Sequence, residues 1–99
     1  MTKFNGYTDS ESFTQVPDRF FQKLLGEIED VAELKVTLFF LWRVEHMEGP
    51  FRALCQTDFT EETLGLGADK VVLGLEKAVQ RGSILKAASV LFFVLAGPR

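Results

Sequence analysis

Apolar residues recur at helical spacing in the first part of the chain, and this periodicity predicts an amphipathic helix there. The helix begins at Pro17, because proline is favoured at the first helical position, and Gly26 ends it. Its apolar stripe consists of Phe20, Phe21, Leu24 and Leu25. The segment before it, residues 1–15, is mostly polar and is predicted to be a loosely ordered arm on which one phenylalanine docks against the core.

A second helix is predicted from Asp30 to about Met47, where Gly49-Pro50 ends it. Asp30 is a side-chain acceptor at the helix start and Glu33 follows three residues later, a variant of the capping box. The middle of this segment is apolar nearly all round, so it is predicted to be the central, buried helix. Its apolar residues are Val36, Leu38, Phe39, Phe40, Leu41 and Trp42.

A third helix is predicted over residues 69–81, with Gly82 as its end. The predicted buried stripe is Val71, Val72, Leu75, Ala78 and Val79, and the opposite side carries Lys70, Gly74, Lys77, Gln80 and Arg81. A glycine inside a helix costs about 1 kcal/mol relative to alanine. Gly74 therefore indicates a close approach, either of another helix of the same domain or of a partner such as a DNA backbone.

Shorter elements lie around the third helix. Residues 51–54 are predicted to form a short strand, and Thr57 or Asp58 to cap a short helix through Leu64. Residues 83–87 and 90–95 read as the two strands of a hairpin. Helices, a short strand and a final hairpin, in this order, are typical of a winged helix-turn-helix, a mainly α (α+β) fold with the hairpin as its wing. The domain is predicted to span residues 16–97, with a core of Phe20, Leu24, Leu34, Leu38, Leu41, Val72, Leu75 and Val79.

Composition narrows the class of protein. The 99 residues suffice for one domain, and 46% apolar with 25% charged residues exclude an intrinsically disordered chain. A single cysteine excludes an intramolecular disulfide and a multi-cysteine zinc site. The start of the chain lacks the apolar segment of a secretory signal, and the longest apolar stretch, residues 36–42, is far short of the roughly 20 residues that span a bilayer. We therefore expect a cytoplasmic protein without a membrane partner.

Charge is distributed unevenly along the chain. Residues 1–68 carry twelve acids and six bases, whereas residues 69–99 carry two acids and five bases. This polarity favours either a face for an anionic partner or a head-to-tail self-association surface. The candidate DNA contacts are Lys70, Lys77, Arg81 and Lys86. Because the net charge is −3, contact with duplex or single-stranded DNA is expected to be weak and electrostatic.

The last strand, residues 90–95, is apolar throughout. Such a strand either adds to the sheet edge of a partner, forms a buried dimer face, or lies over the helices of its own domain. A small domain cannot easily cover both faces of the strand, so we expect a homo-oligomer. The candidate self-association residues are Val90, Phe92, Phe93 and Leu95.

No catalytic, cofactor-binding or metal-binding residues are predicted. His46 and Cys55 are a single histidine and a single cysteine, which do not make a metal site. The acidic residues Glu27, Glu29, Asp30 and Glu33 lie at a helix start, where the helix dipole and solvent account for them. Neither a nucleophile–base pair nor a phosphate-binding glycine loop is present, so the chain is not expected to be an enzyme.

Four segments of the chain resemble the N-terminal domain of bacterial DnaD-like primosome proteins. They are Phe13-Thr14-Gln15-Val16-Pro17-Asp18-Arg19-Phe20-Phe21, Ala32-Glu33-Leu34-Lys35-Val36-Thr37-Leu38, Trp42-Arg43 and Leu75-Glu76-Lys77-Ala78-Val79-Gln80-Arg81-Gly82. The resemblance covers about residues 13–95 and implies a winged-helix fold with a role in replication initiation or restart. Such proteins usually carry a second, C-terminal helical domain that supplies much of the DNA binding, and this sequence stops at Arg99.

Two functions follow as expectations. The first is a non-enzymatic replication domain that works by self-association and by scaffolding other replication proteins. The alternative is a stand-alone winged-helix DNA-binding regulator, which would bind short duplex DNA tightly and in a salt-dependent way. Helix 69–81 lacks a cluster of Arg, Asn or Gln at its start to read base edges, which favours the first.

Overall fold

Six helical segments, of which one is π-helical and one is a single 3-10 turn, and three strands are the regular elements of the described part of the chain. The structure is a computed structural model that describes residues 4, 6–7, 11–48, 53–87 and 92–95. A π-helical segment, Phe20–Leu24, runs into α1 (Leu25–Glu27), and α2 (Val31–Glu45) follows. Strand β1 (Ala53–Cys55), a 3-10 turn (Gln56–Asp58), α3 (Glu61–Leu64), α4 (Ala68–Arg81), β2 (Ile84–Ala87) and β3 (Phe92–Leu95) complete the order.

The first helix buries only half of its predicted stripe. Phe20 is 2% exposed and Leu24 is half-buried, but Phe21 and Leu25 face solvent at 56% and 45% exposure. The bond pattern of this segment is i→i+5, in which the N–H of Leu25 donates to the carbonyl of Phe20. The helix continues one residue past Gly26, to Glu27. Phe13 is 84% exposed and Phe4 67%, so the expected docking of an arm phenylalanine is wrong for both.

Helix α2 begins as predicted but is not buried all round. The carboxylate of Asp30 accepts from the N–H of Glu33 at 2.9 Å, which confirms the cap. The reciprocal half of the capping box is absent, because the carboxylate of Glu33 binds Arg81 of α4 instead. Leu38 and Trp42 are 40% and 45% exposed, since they lie on the side of the helix opposite the core. The predicted stop at Gly49-Pro50 lies outside the described residues; α2 itself ends at Glu45.

Helix α4 packs on α2, and Gly74 is the point of closest approach. Gly74 is buried, contrary to its predicted place on the outer side. A Cβ atom on Gly74 would lie 2.7 Å from the carbonyl oxygen of Ala32 in the first turn of α2. The close approach inferred from the mid-helix glycine is therefore to a helix of the same domain. Gly82 ends α4 in the left-handed conformation, φ 92°, as predicted.

The segment between α2 and α4 is a strand followed by two short turns of helix. The predicted strand is present as Ala53–Cys55, and residues 51–52 lie outside the described residues. Thr60, rather than Thr57 or Asp58, caps α3, and the Asp58 carboxylate instead accepts from the N–H of Cys55 at 2.9 Å. At the end of α3, the Lys35 ammonium donates to the carbonyl of Leu64 at 3.0 Å and ties this segment to α2.

The three strands form one antiparallel sheet in the order β1–β3–β2. Strand β3 is central: Phe93 pairs with Leu54 of β1 on one side and with Lys86 of β2 on the other. The predicted hairpin is thus present as β2 and β3, and its turn at Ala88-Ser89 lies outside the described residues. Because both edges of β3 are occupied, β3 cannot add to a partner's sheet edge.

The core has two parts. The larger lies between α2, α4 and the sheet and is built on Val36, Phe40, Leu54, Leu75 and Ile84, and the smaller joins Phe20, Ile28 and Leu41 between the first helix and α2. Among the eight predicted core residues, Phe20, Leu41 and Leu75 are confirmed as buried and Leu38 is wrong. The other four are half-buried: Leu24, Leu34, Val72 and Val79.

Two leucines of α4 give a matched test of this core. Leu75 is 2% exposed and Leu73 is 43% exposed. Leu75→Ala is expected to lower the unfolding free energy by about 2–5 kcal/mol, because it removes buried methyl groups and leaves a cavity. Leu73→Ala is expected to change it by less than about 0.5 kcal/mol. Urea unfolding measures both, and equal losses would contradict the assigned orientation of α4.

Gly74 gives a second test, in which helix propensity and packing oppose each other. Gly74→Ala gains about 1 kcal/mol of helix propensity but forces a methyl group against the Ala32 backbone, and overpacking of this kind costs about 1–3 kcal/mol. Net destabilisation is expected. Gly26→Ala is the control, because a Cβ there meets nothing within 4 Å, and it should be neutral or stabilising. A stabilised Gly74→Ala would rule out the close helix contact.

Candidate functional site

The basic residues of α4 face the acidic start of α2 rather than solvent alone. Lys70, Gly74, Lys77 and Arg81 are spaced by four, three and four residues, so they share one stripe of the helix. Contact at Gly74 turns this stripe toward α2. The Lys77 ammonium lies 3.3 Å from the Asp30 carboxylate, and Arg81 Nη1 lies 3.7 Å from Glu27 Oε1.

Glu33 and Arg81 form the most buried of these pairs. Glu33 is 1% exposed, and its two carboxylate oxygens accept from Arg81 Nε and, at 3.1 Å, from Arg81 Nη2. This two-point geometry suits a guanidinium and a carboxylate, and it raises the pKa of Arg81 above its ordinary value. A buried carboxylate requires such a partner, so Arg81 is committed to the fold.

Together these side chains line an open surface cavity of about 400 Å³. It is lined by Glu27, Glu29, Asp30, Glu33, Lys77, Gln80 and Arg81. Four carboxylates and two cations give the cavity a formal charge of −2. An approaching phosphate therefore meets negative charge at the place where the sequence suggested cationic contacts.

The stripe of α4 opposite its buried residues carries no cation, although Lys70 and Arg81 beside it are also exposed. Its exposed residues, spaced by four, three and four, are Asp69, Leu73, Glu76 and Gln80. In a winged helix this is the helix that enters the DNA major groove. Two carboxylates on its outward face oppose the approach of a phosphate backbone. Among the predicted contacts, Lys70 remains exposed near Asp30, and the side chain of Lys86 is outside the described set.

Register divides the predicted self-association residues between the two faces of the sheet. Positions 93 and 95 pair with Leu54 and Ile84, which are 1% and 0% exposed, so they share the core face. Positions 92 and 94 share the other face, where the partner of position 94 in β2 is Leu85, 45% exposed. Val90 lies outside the described residues.

Within the described strands, the outer sheet face consists of six uncharged positions. By register and alternation they are Ala53, Cys55, Leu85, Ala87, Phe92 and Val94. Only Phe92 was among the predicted residues, because the alternation of a strand that is apolar throughout gives no sign of which face is buried. The pairing of β3 with β1 was the missing information.

A second apolar surface, which the sequence did not single out, lies on α2. Val31, Leu38 and Trp42 are spaced by seven and four residues, and they are 62%, 40% and 45% exposed. The continuous apolar run of this helix concealed the row, because periodicity is not visible where every position is apolar. Trp42, predicted as part of the buried helix, packs on Phe39 at 5.7 Å between ring centroids but keeps its outer face free of the core.

His46 and Cys55 have different hydrogen-bond partners. His46 ends α2, and its Nε2 lies 3.1 Å from the hydroxyl oxygen of Thr14, which holds the preceding segment against α2. The Cys55 thiol lies 3.4 Å from the Asp58 carboxylate. Within the described ranges, no group of three or more His, Cys, Asp or Glu side chains is arranged to hold a metal ion.

The chain matches no protein-family profile, no curated protein and no solved structure. Among the helices that the structure describes, none has the length and apolarity needed to cross a membrane.

Asp30 gives a test of the acidic end of α2 through pH. The N–H of Glu33 and then the Lys77 ammonium hold the pKa of the Asp30 carboxyl below its ordinary value. The ionised carboxylate thus stabilises the fold above the pKa of the unfolded state, and this stabilisation is lost as the pH falls through the folded-state pKa. Asp30→Asn keeps an oxygen acceptor for the cap but does not titrate.

We expect the wild type to be more stable than Asp30→Asn at neutral pH, with a difference that shrinks toward zero in acid. Urea unfolding across a pH series measures this difference. Glu48→Gln, which removes an exposed carboxylate beyond the other end of α2, is the control for net charge. A difference that is independent of pH would show that Asp30 acts only as a neutral cap.

Proposed function

We propose that this chain is a winged-helix module that acts without catalysis, by self-association and by scaffolding other replication proteins. Its contact with DNA is weak and electrostatic in this proposal. The observation that carries the proposal is the use of charge in α4: two of the three cations of its basic stripe, Lys77 and Arg81, pair with carboxylates of the same domain, and its outward face offers two carboxylates. A surface of this kind suits a protein partner better than a phosphate backbone.

The element and strand orders support a winged helix. Helix, strand, short helix, longer helix and hairpin follow one another in α2, β1, α3, α4 and β2–β3. The turn between α3 and α4 contains Gly65 in the left-handed conformation, φ 71°, which allows the sharp change of direction of a helix-turn-helix. The first strand closes the sheet on the far side of the hairpin, in the order β1–β3–β2.

The outer sheet face supports self-association with a second copy of the chain. Its six positions carry no charge, although each copy has a net charge of −3, so two such faces meet without like-charge repulsion. Sheets pack face to face through apolar residues at about 10 Å separation, and an isologous pair uses the same patch on both copies. We propose this face, rather than an edge of β3, as the self-association surface.

The replication role is supported by the resemblance of residues 13–95 to DnaD-like proteins. Within these residues, the segment that ends in Gln80-Arg81-Gly82 is the end of α4 with its Arg81–Glu33 pair. The alternative, a stand-alone regulator, draws support from the same helix-turn-helix and wing. DNA affinity separates the two.

The self-association proposal is tested by the mass of the particle in solution. Light scattering should give a multiple of the 11.1 kDa monomer mass at micromolar concentration and above. Leu85→Glu places a charge on the outer sheet face and should return the mass to that of the monomer. Leu73→Glu is the matched control, because Leu73 is a leucine of similar exposure, 43% against 45%, on the outward face of α4.

A wild type that stays monomeric would overturn self-association. A multiple mass that Leu85→Glu leaves unchanged would overturn the sheet face as the interface.

DNA binding is tested by titration of a labelled duplex at two salt concentrations. Four phosphate contacts would give a salt slope of about −4, and the pairing of Lys77 and Arg81 lowers the expected magnitude to about 2. Sequence-selective, nanomolar binding at physiological salt would overturn the scaffold and favour the regulator.

A further inference from the structure

The carboxylates at the start of α2 lie against the basic stripe of α4, where they compete with any external anion for its cations. Lys70, Lys77 and Arg81 share a stripe, and three carboxylates, those of Glu27, Asp30 and Glu33, lie against it. Phosphate oxygens and carboxylate oxygens are both anionic acceptors for the same ammonium and guanidinium groups. Each carboxylate therefore occupies a position that a phosphate would otherwise take.

The pairs differ in how firmly they are held. The Arg81–Glu33 pair is anchored, because Glu33 is 1% exposed. The pairs Lys77–Asp30 and Arg81–Glu27 lie at the surface, with side-chain exposures of 41% and 32%, and 28% and 46%. Exposed ion pairs add little to stability, so these two can open without unfolding the domain.

The negative charge around the Lys77–Asp30 and Arg81–Glu27 pairs opposes the approach of a phosphate. Glu29 also lines the cavity and is exposed, which brings the lining to four carboxylates against two cations. Debye screening acts over roughly 10 Å at 0.1 M salt. A phosphate that contacts Lys77 lies within this length of the carboxylates, so salt weakens their repulsion only slightly. Loss of the exposed carboxylates would reverse the sign of the local field.

We propose that Glu27, Glu29 and Asp30 act as an intramolecular competitor that holds a latent polyanion site, formed by Lys70, Lys77 and Arg81, away from the phosphate backbone of duplex DNA. This inference rests on the weak DNA contact in the proposed function, and it explains why that contact is weak. A protein partner that binds the acidic start of α2 would expose the site and couple protein binding to DNA binding.

The test compares two triple variants that change the net charge equally. Glu27→Gln/Glu29→Gln/Asp30→Asn removes the competitor and keeps a capping oxygen at position 30. Glu48→Gln/Glu61→Gln/Glu62→Gln removes three exposed carboxylates on other parts of the chain. Binding of both variants and of the wild type to a labelled duplex of mixed sequence is measured by fluorescence anisotropy over a range of salt concentrations.

We expect the competitor variant to bind severalfold more tightly than the wild type at low salt, with a salt slope steeper by about 1, because Lys77 loses its Asp30 partner and becomes available to a phosphate while Arg81 stays paired with Glu33. The control variant should gain less than about threefold, since net charge alone changes the long-range attraction and not the number of contacts. Addition of Lys77→Gln to the competitor variant should remove nearly all of the added slope.

Equal gains in the two triple variants would overturn the proposal, because net charge would then explain the affinity. An unchanged affinity in the competitor variant would overturn it as well. Thermal unfolding confirms that each variant is folded, and Glu27→Gln/Glu29→Gln, which leaves the cap intact, repeats the comparison if the triple variant is unfolded. The result is independent of the mass measurement that tests self-association.

Discussion

Helix α4 approaches the first turn of α2 so closely that only glycine fits at position 74. The Ala32 carbonyl would lie 2.7 Å from an added Cβ atom. This contact fixes the rotation of α4 about its axis, and the rotation then decides the surroundings of every other residue of the helix. Val71, Leu75 and Ala78 enter the core, Lys77 and Arg81 meet carboxylates, and the remaining side faces solvent.

The same contact explains how a buried carboxylate is tolerated in a domain of this size. Glu33 lies one residue beyond the close approach, where α4 excludes water from it. An unpaired charge there would be strongly destabilising, and the guanidinium of Arg81 supplies two donors in a suitable geometry. The uneven charge of the sequence, acidic before residue 69 and basic after it, is thus partly used inside one molecule. Charge that is consumed by the fold is not available to a partner, and this is the physical basis for the weak DNA contact that we propose.

Two of the apolar surfaces exposed on the described part of the chain lie on the sheet and on α2. One is the outer face of the sheet around Leu85, and the other is the row of Val31, Leu38 and Trp42 on α2. They lie on different elements, and two separate contact surfaces are what the scaffolding role that we propose requires. We propose the sheet face for a second copy, because its positions are uncharged and the sheet faces of two identical copies can pack on each other.

Local signals along the chain were sufficient to place most of the elements. Asp30 as a cap, Gly82 as a helix end, the periodicity of residues 69–81 and the final hairpin were all predicted correctly, because each depends on neighbours within a few residues. The side of each helix that faces the core was not predictable in the same way. Gly74 was assigned to the outer side and Leu38 to the core, and the partner of Glu33 was sought at the helix cap rather than in Arg81, 48 residues away. Periodicity shows that a helix has faces but does not show which face meets which neighbour. That choice depends on contacts between residues far apart in the chain, and here it was made by the packing of α4 on α2 and by the insertion of β3 between β1 and β2.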